Sequence, residues 1–173
     1  FISDYDVMST FCSPKSKLTF NTFDTVLESG KIVVLNINIS EYNMLSKIIA
    51  TYLKLDFQTE IMTRLSKNIS KTSAFICDEY DKFASKTDGE FFSLSREAKC
   101  INIVSTQSYS SLKSTLKDDS SVKVIIQNLI NKIWFRTDDS FTIEDAQKQL
   151  GKEKKKKISK SISESAKETK FNY

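Results

Sequence analysis

The stretch Ala74-Phe75-Ile76-Cys77-Asp78-Glu79 (AFICDE) decides how the chain is read. Apolar residues run without alternation straight into two adjacent carboxylates. A continuous apolar run suits a strand buried on both faces, as in a parallel sheet. Asp78 and Glu79 then stand where that strand ends, at the edge where open α/β sheets bind ligands. Two carboxylates there can serve a hard cation and a water nucleophile. The plain alternative is a buried strand running into a solvated acidic turn. The rest of the chain has to separate the two.

Working outward, the alternation of elements supports a parallel sheet. Upstream, residues 31–39 (KIVVLNINI) read as a strand, first continuously apolar and then alternating. Ser40 is placed to cap a long helix over residues 41–65, whose apolar stripe is Leu45, Ile48, Ile49, Tyr52, Ile61, Met62 and Leu65. Residues 67–73 are polar and turn-rich. Downstream, residues 80–90 read as a polar loop over the sheet edge and residues 91–99 as a helix. Residues 101–106 (INIVST) form a further strand with Gln107 at its end, and residues 108–116 a helix. Residues 122–130 are best read as a helix, and residues 132–137 (KIWFRT) as a strand. Asp139 and Ser140 cap a final helix to Leu150, with Glu144 and Asp145 early and Lys148 late, and Gly151 ends it. Strands alternating with helices in this way predict α/β architecture: a mostly parallel sheet with flanking helices and right-handed crossovers.

Composition excludes several classes. With 173 residues, 39% hydrophobic and 28% charged, the chain can bury a core and is neither disordered nor membranous. No run approaches the roughly 18 apolar residues of a spanning helix. The acidic start, Phe1 to Asp6, is not a secretory signal, and a chain opening on Phe is expected to belong to something longer. Cys12, Cys77 and Cys100 are widely spaced, and there is no histidine, which disfavours zinc sites and removes His-based triads. Cys77 and Cys100 read as buried free thiols in a reducing, intracellular compartment. The net charge of +4 is concentrated in residues 152–160 (KEKKKKISK), either a solvated tail or a phosphate-contacting one. Three segments follow: a lead-in over residues 1–30, the α/β unit over 31–151, and a basic tail over 152–173.

The chemistry falls at strand C-termini. Asp78 followed by Glu79 is the Walker B arrangement, Asp holding Mg²⁺ and Glu polarising the attacking water. Gln107, ending the next strand, can hold a γ-phosphate or the water; alternatively it is a loop amide capping the following helix. Arg96, on the helix leading into that strand, can reach a phosphate or be an ordinary surface arginine.

Taken together, FICDE-Y-D-K-F, Arg96 and Thr106-Gln107-Ser108 resemble the conjugative coupling proteins of type IV secretion, the TraG/TraD-like branch of the FtsK/HerA motor ATPases. Asn131, Asp138-Asp139, the last helix and Gly151 fit the same pattern. The resemblance implies a RecA-type P-loop NTPase fold. It also implies an ATP-driven DNA translocase that works as a homo-oligomeric ring at the cytoplasmic face of the bacterial membrane, with relaxase and secretion-channel partners. It assigns Asp78 to Mg²⁺ through water, Glu79 to the attacking water, Gln107 to the γ-phosphate and Arg96 to phosphate, in its own or a neighbouring subunit. One departure matters. No G-x-x-x-x-G-K-[ST] is present, and three glycines cannot build a phosphate cradle. The expectation is a partial RecA-type fold lacking the P-loop strand, which alone binds ATP weakly or not at all. The competing reading is a non-catalytic α/β module contacting nucleic acid or a protein through its basic tail.

Overall fold

In the computed structural model the described residues are 12–17, 20, 22–36, 39–67, 71–151 and 153. The lead-in before Cys12 and most of the basic tail therefore lie outside them.

A short helix, α1 (Phe23–Ser29), ends at Gly30, whose φ of 68° is the left-handed cap geometry that glycine adopts without a Cβ penalty. The long helix α2 (Ile39–Ser66) follows. It begins at Ile39, so Ser40 lies inside it and is not its cap. Strand β1 (Ser73–Cys77), helix α3 (Asp88–Leu94) and strand β2 (Cys100–Val104) come next. Helices α4 (Tyr109–Leu116), α5 (Asp119–Asn128) and α6 (Ser140–Leu150) complete the order. Asp118 and Asp139 accept hydrogen bonds from the amides of Ser120 and Thr142, satisfying donors that a helix start leaves free.

β1 and β2 pair in parallel, Ser73 with Cys100 through to Cys77 with Val104. The α/β class and the parallel pairing hold. Among the described residues the sheet has only these two strands, and a RecA-type sheet is not seen. The two outer predicted strands are corrected. Residues 31–36 and 132–137 carry no ladder, and residues 37 and 38 lie outside the described set. Their side chains are strand-like in type, yet Ile32 is 91% and Phe135 86% exposed. β propensity reflects fit to a half-buried pleated surface, and without a paired neighbour it forms no strand.

The central strands also differ from expectation. β1 is buried on one face only: Phe75 and Cys77 pack on the core, while Ile76 is 72% exposed. The core lies on that inner side, built from Phe57 and Ile61 of α2, Phe91 and Phe92 of α3, Leu112 and Leu116 of α4, and Val122, Ile125 and Ile126 of α5. The stripe expected on α2 is borne out at Ile61 and, partly, at Met62 and Leu65, but Ile48 and Tyr52 are exposed. Lys54, Phe57, Gln58 and Ile61 instead form the buried line, two of its members polar. α3 starts three residues earlier than predicted and ends five residues earlier, residues 95–99 forming a turn, and Gly89 lets it approach α5. A Cβ at Gly89 would stand 2.8 Å from Val124 Cγ1, and the Gly89 carbonyl accepts from Asn128 at 3.0 Å. Cys77 and Cys100 are free thiols, partly and fully buried as expected. Burial pushes each up to about 11, so both stay protonated near neutrality.

Candidate functional site

The C-terminal ends of β1 and β2 lie side by side, and the chains beyond them stay joined. Ser105 N–H donates to the Cys77 carbonyl (3.0 Å), and Tyr80 N–H donates to the Ser105 carbonyl (2.8 Å). Asp78 and Glu79 form the turn held between these two bonds. The parallel register thus puts both carboxylates and Gln107 on one sheet edge, as the sequence predicted.

Within the turn each residue has a distinct state. Asp78 is exposed; its Oδ1 accepts from the Ser105 hydroxyl and from Glu79 N–H (2.9 Å). The Ser105 hydroxyl, then the Glu79 amide, hold its carboxyl below the usual carboxylate range, so it is ionised at neutral pH. Glu79 has φ 48° and ψ 42°, the left-handed region. For a residue with a Cβ this costs about 1–2 kcal/mol and persists only where the surroundings impose it. Lys99 and Lys117 adopt the same region, the one just before β2 and the other at the C-terminal cap of α4, so the conformation is not special to the sheet edge.

The neighbouring strand end shows why Gln107 is presented. Thr106 donates to Asp81 Oδ1 (3.0 Å), and Asp81 is buried. Ser108 caps α4, its hydroxyl accepting from Ser111 N–H (3.0 Å). Gln107, between these two anchored residues, is exposed and is not the cap of the helix. Arg96 is not brought to this edge. It is exposed in the turn after α3, before β2 begins, with its carbonyl accepting from Lys99 N–H. The five residues of β2 separate it from the carboxylates by about 16 Å of strand. Any contact of Arg96 with a ligand at Asp78 and Glu79 of the same chain is therefore unfavourable.

Residues 80–90 are the largest correction. They are not a polar loop over the sheet edge. Tyr80–Lys82 is a single 3-10 turn, and Tyr80, Asp81 and Asp88 are buried. Asp88, fully buried, accepts from Lys54 Nζ on both oxygens (2.7 and 2.6 Å), from Gln58 Nε2 (3.1 Å), from the Tyr80 hydroxyl (2.6 Å), and from Ser85 through its N–H (2.9 Å) and hydroxyl (2.7 Å). Lys54 also donates to the Phe83 carbonyl (2.8 Å). Burial works to raise the Asp88 pKa, but the Lys54 charge and the donors around the carboxylate outweigh it and hold the group below its ordinary range. Burial, then the Asp88 charge, drive the Tyr80 phenol well above its usual value. Sequence reasoning missed Lys54, Gln58, Tyr80 and Asp88 as a unit. The one available signal was Lys54 and Gln58 falling on the same helical line as Phe57 and Ile61.

Among the described residues, no group of three or more His, Cys, Asp or Glu side chains is arranged to hold a metal ion. Asp78 alone suits an ion that keeps several waters and shares phosphate oxygens, as Mg²⁺ does. No helix of the described residues is long and apolar enough to cross a membrane.

A family model described as the TraM recognition site of TraD and TraG matches residues 72–172. No curated protein and no solved structure matches the chain.

Proposed function

The chain belongs to the family of the TraM recognition site of TraD and TraG, conjugative coupling proteins, and on that premise we propose that it is the Walker B part of an ATP-driven DNA-translocating motor. The observation that supports this reading is the turn at the joined ends of two parallel strands. There Asp78 is ionised, Glu79 is held in a left-handed conformation, and Gln107 is presented from the adjacent strand end. Asp78 would hold Mg²⁺ through water, an ion that brings charge neutralisation for the phosphates. Glu79 orients the attacking water and Gln107 reads the γ-phosphate. Arg96, displaced to the far end of β2, acts on the phosphate of a neighbouring subunit in a homo-oligomeric ring. ATP, DNA, the relaxase, the secretion channel and a place at the cytoplasmic face of the bacterial membrane enter with the parent protein. The phosphate-cradling loop is absent from this sequence.

Glu79→Gln in the full-length coupling protein tests the reading. ATP turnover is expected to fall by about 100-fold or more, the usual scale for losing a positioned acid–base group, with Mg-ATP binding retained. Turnover within about twofold of the parent would overturn it.

The family description favours a second reading, a docking module for a TraM-type protein. The match runs to residue 172 and so takes in the basic tail, which can contact a protein or nucleic acid. Titrating a TraM-type protein against the chain with and without residues 152–173 separates the two: binding lost with the tail, alongside unchanged turnover in Glu79→Gln, leaves only the docking reading.

A further inference from the structure

We propose that Tyr80, backed by the buried Lys54–Asp88 pair, is a positioning residue that holds Glu79 in its left-handed conformation; the catalytic part of this claim rests on the reading of Glu79 as the water-orienting carboxylate.

Tyr80 is fully buried and tied at both ends. Its backbone N–H donates to the Ser105 carbonyl, and its hydroxyl donates to Asp88 Oδ2 at 2.6 Å. Its ring packs against Phe92, with centroids 5.8 Å apart. On the other side of Glu79, Cys77 is fixed by the strand ladder and by Ser105 N–H. Only Asp78 and Glu79 lie between the two clamps, and two residues spanning fixed ends have few backbone solutions. The left-handed geometry of Glu79 is the solution this spacing imposes.

The second clamp depends on α2. Lys54 and Gln58 of α2, together with Ser85, fix the Asp88 carboxylate that receives the Tyr80 hydroxyl, and Lys54 also grips the Phe83 carbonyl within the same loop. A core staple needs none of this. Apolar residues of similar volume commonly match or exceed a buried ion pair in stability. The polar network adds direction: it joins helix α2 to the residue next to Glu79 and leaves one rotamer of Tyr80 compatible with all its partners.

Tyr80→Phe is the direct test, because it keeps the buried ring and deletes one hydroxyl. In the chain, NMR is expected to show the left-handed signature at Glu79 averaged in its scalar coupling and shifts. Its amide should exchange about tenfold faster, the scale of one charge-assisted hydrogen bond. Gln58→Met, which removes a donor to Asp88 from the far side, is expected to give the same signature at lower amplitude and serves should Tyr80→Phe not fold. Leu112→Ala, a core truncation in α4, is the comparison: it lowers the melting temperature and leaves Glu79 unchanged well below unfolding. Identical Glu79 signatures in all these variants and the parent chain would sink the proposal. In the full-length protein, Tyr80→Phe should lower kcat with KM for ATP within about twofold. Two failures stay distinct. If Glu79→Gln leaves turnover intact but Tyr80→Phe loosens Glu79, the catalytic reading fails and the clamp stands. If Glu79→Gln abolishes turnover while Tyr80→Phe changes neither Glu79 nor kcat, the clamp fails and the catalytic reading stands.

Discussion

Two acidic regions lie ten residues apart in the chain and have opposite physics. At Asp88 a carboxylate is fully buried and accepts from four residues, one of them a buried lysine. At Asp78 and Glu79 the carboxylates sit in a turn at the sheet edge, Asp78 is exposed, and the Glu79 backbone is strained. The first has its lone pairs taken by the protein and can do little chemistry. The second keeps Asp78 Oδ2 and the Glu79 carboxylate available at the kind of sheet edge where open α/β sheets bind ligands. A carboxylate in this fold is thus read by what already occupies it, and burial with saturated partners marks scaffold rather than site.

The largest effect should come from breaking the saturated region. Lys54→Met leaves Asp88 buried beside Gln58, Tyr80 and Ser85 but without its counter-charge. The expected loss is about 3–5 kcal/mol, read as a drop in the denaturant midpoint at unchanged m-value. A loss under about 1 kcal/mol, the scale of an exposed ion pair, would erase the contrast between the two regions.

Acid should act on the same contrast. The folded-state pKa of Asp88 is depressed below its unfolded value, near 3.9. Its contribution is therefore fully present above that value and is lost as pH falls through the folded-state pKa. The Asp78 pKa is depressed as well, but that group is exposed, where solvent screening makes such interactions worth little. Melting temperature followed from pH 6 downward should therefore flatten more in Asp88→Asn than in Asp78→Asn. Equal flattening would mean that the exposed turn carries as much linkage as the buried pair.

The same contrast explains what the sequence could and could not say. β1, β2, α2, α4 and α6 were legible because each carries a local signal: an apolar run, apolar residues at helical spacing, the Asp139 cap, a closing Gly. The edge position of Asp78, Glu79 and Gln107 followed from the parallel alternation alone. The Asp88 network was barely legible, since it joins Lys54 to a residue 34 positions away and only the place of Lys54 and Gln58 on the helical line of Phe57 and Ile61 hinted at it. Residues 31–36 and 132–137 misled in the opposite way. Ile32, Val34, Ile133 and Phe135 have strand composition, but a strand exists only through a neighbour that completes its ladder, and composition carries no record of that neighbour. The exposed Ile76, Ile101 and Ile103 on the outer face of the sheet are the same lesson seen from the strands that did pair.

The smallest effect is the one with the reversed sign. Removing a side chain from a folded protein is ordinarily destabilising, yet Glu79→Gly should stabilise. Glycine relieves the left-handed backbone, a gain of about 1–2 kcal/mol. It also loses more conformational freedom on folding, a cost of about 0.5–1 kcal/mol. The net expectation is a gain of about 0.5 kcal/mol, with turnover in the full-length protein lost as in Glu79→Gln. A more stable and inactive variant would identify the turn as strain kept for function. Were Glu79→Gly instead to unfold more readily than the parent chain, the Glu79 side chain would be contributing to stability, and the turn would belong with Asp88 as scaffold.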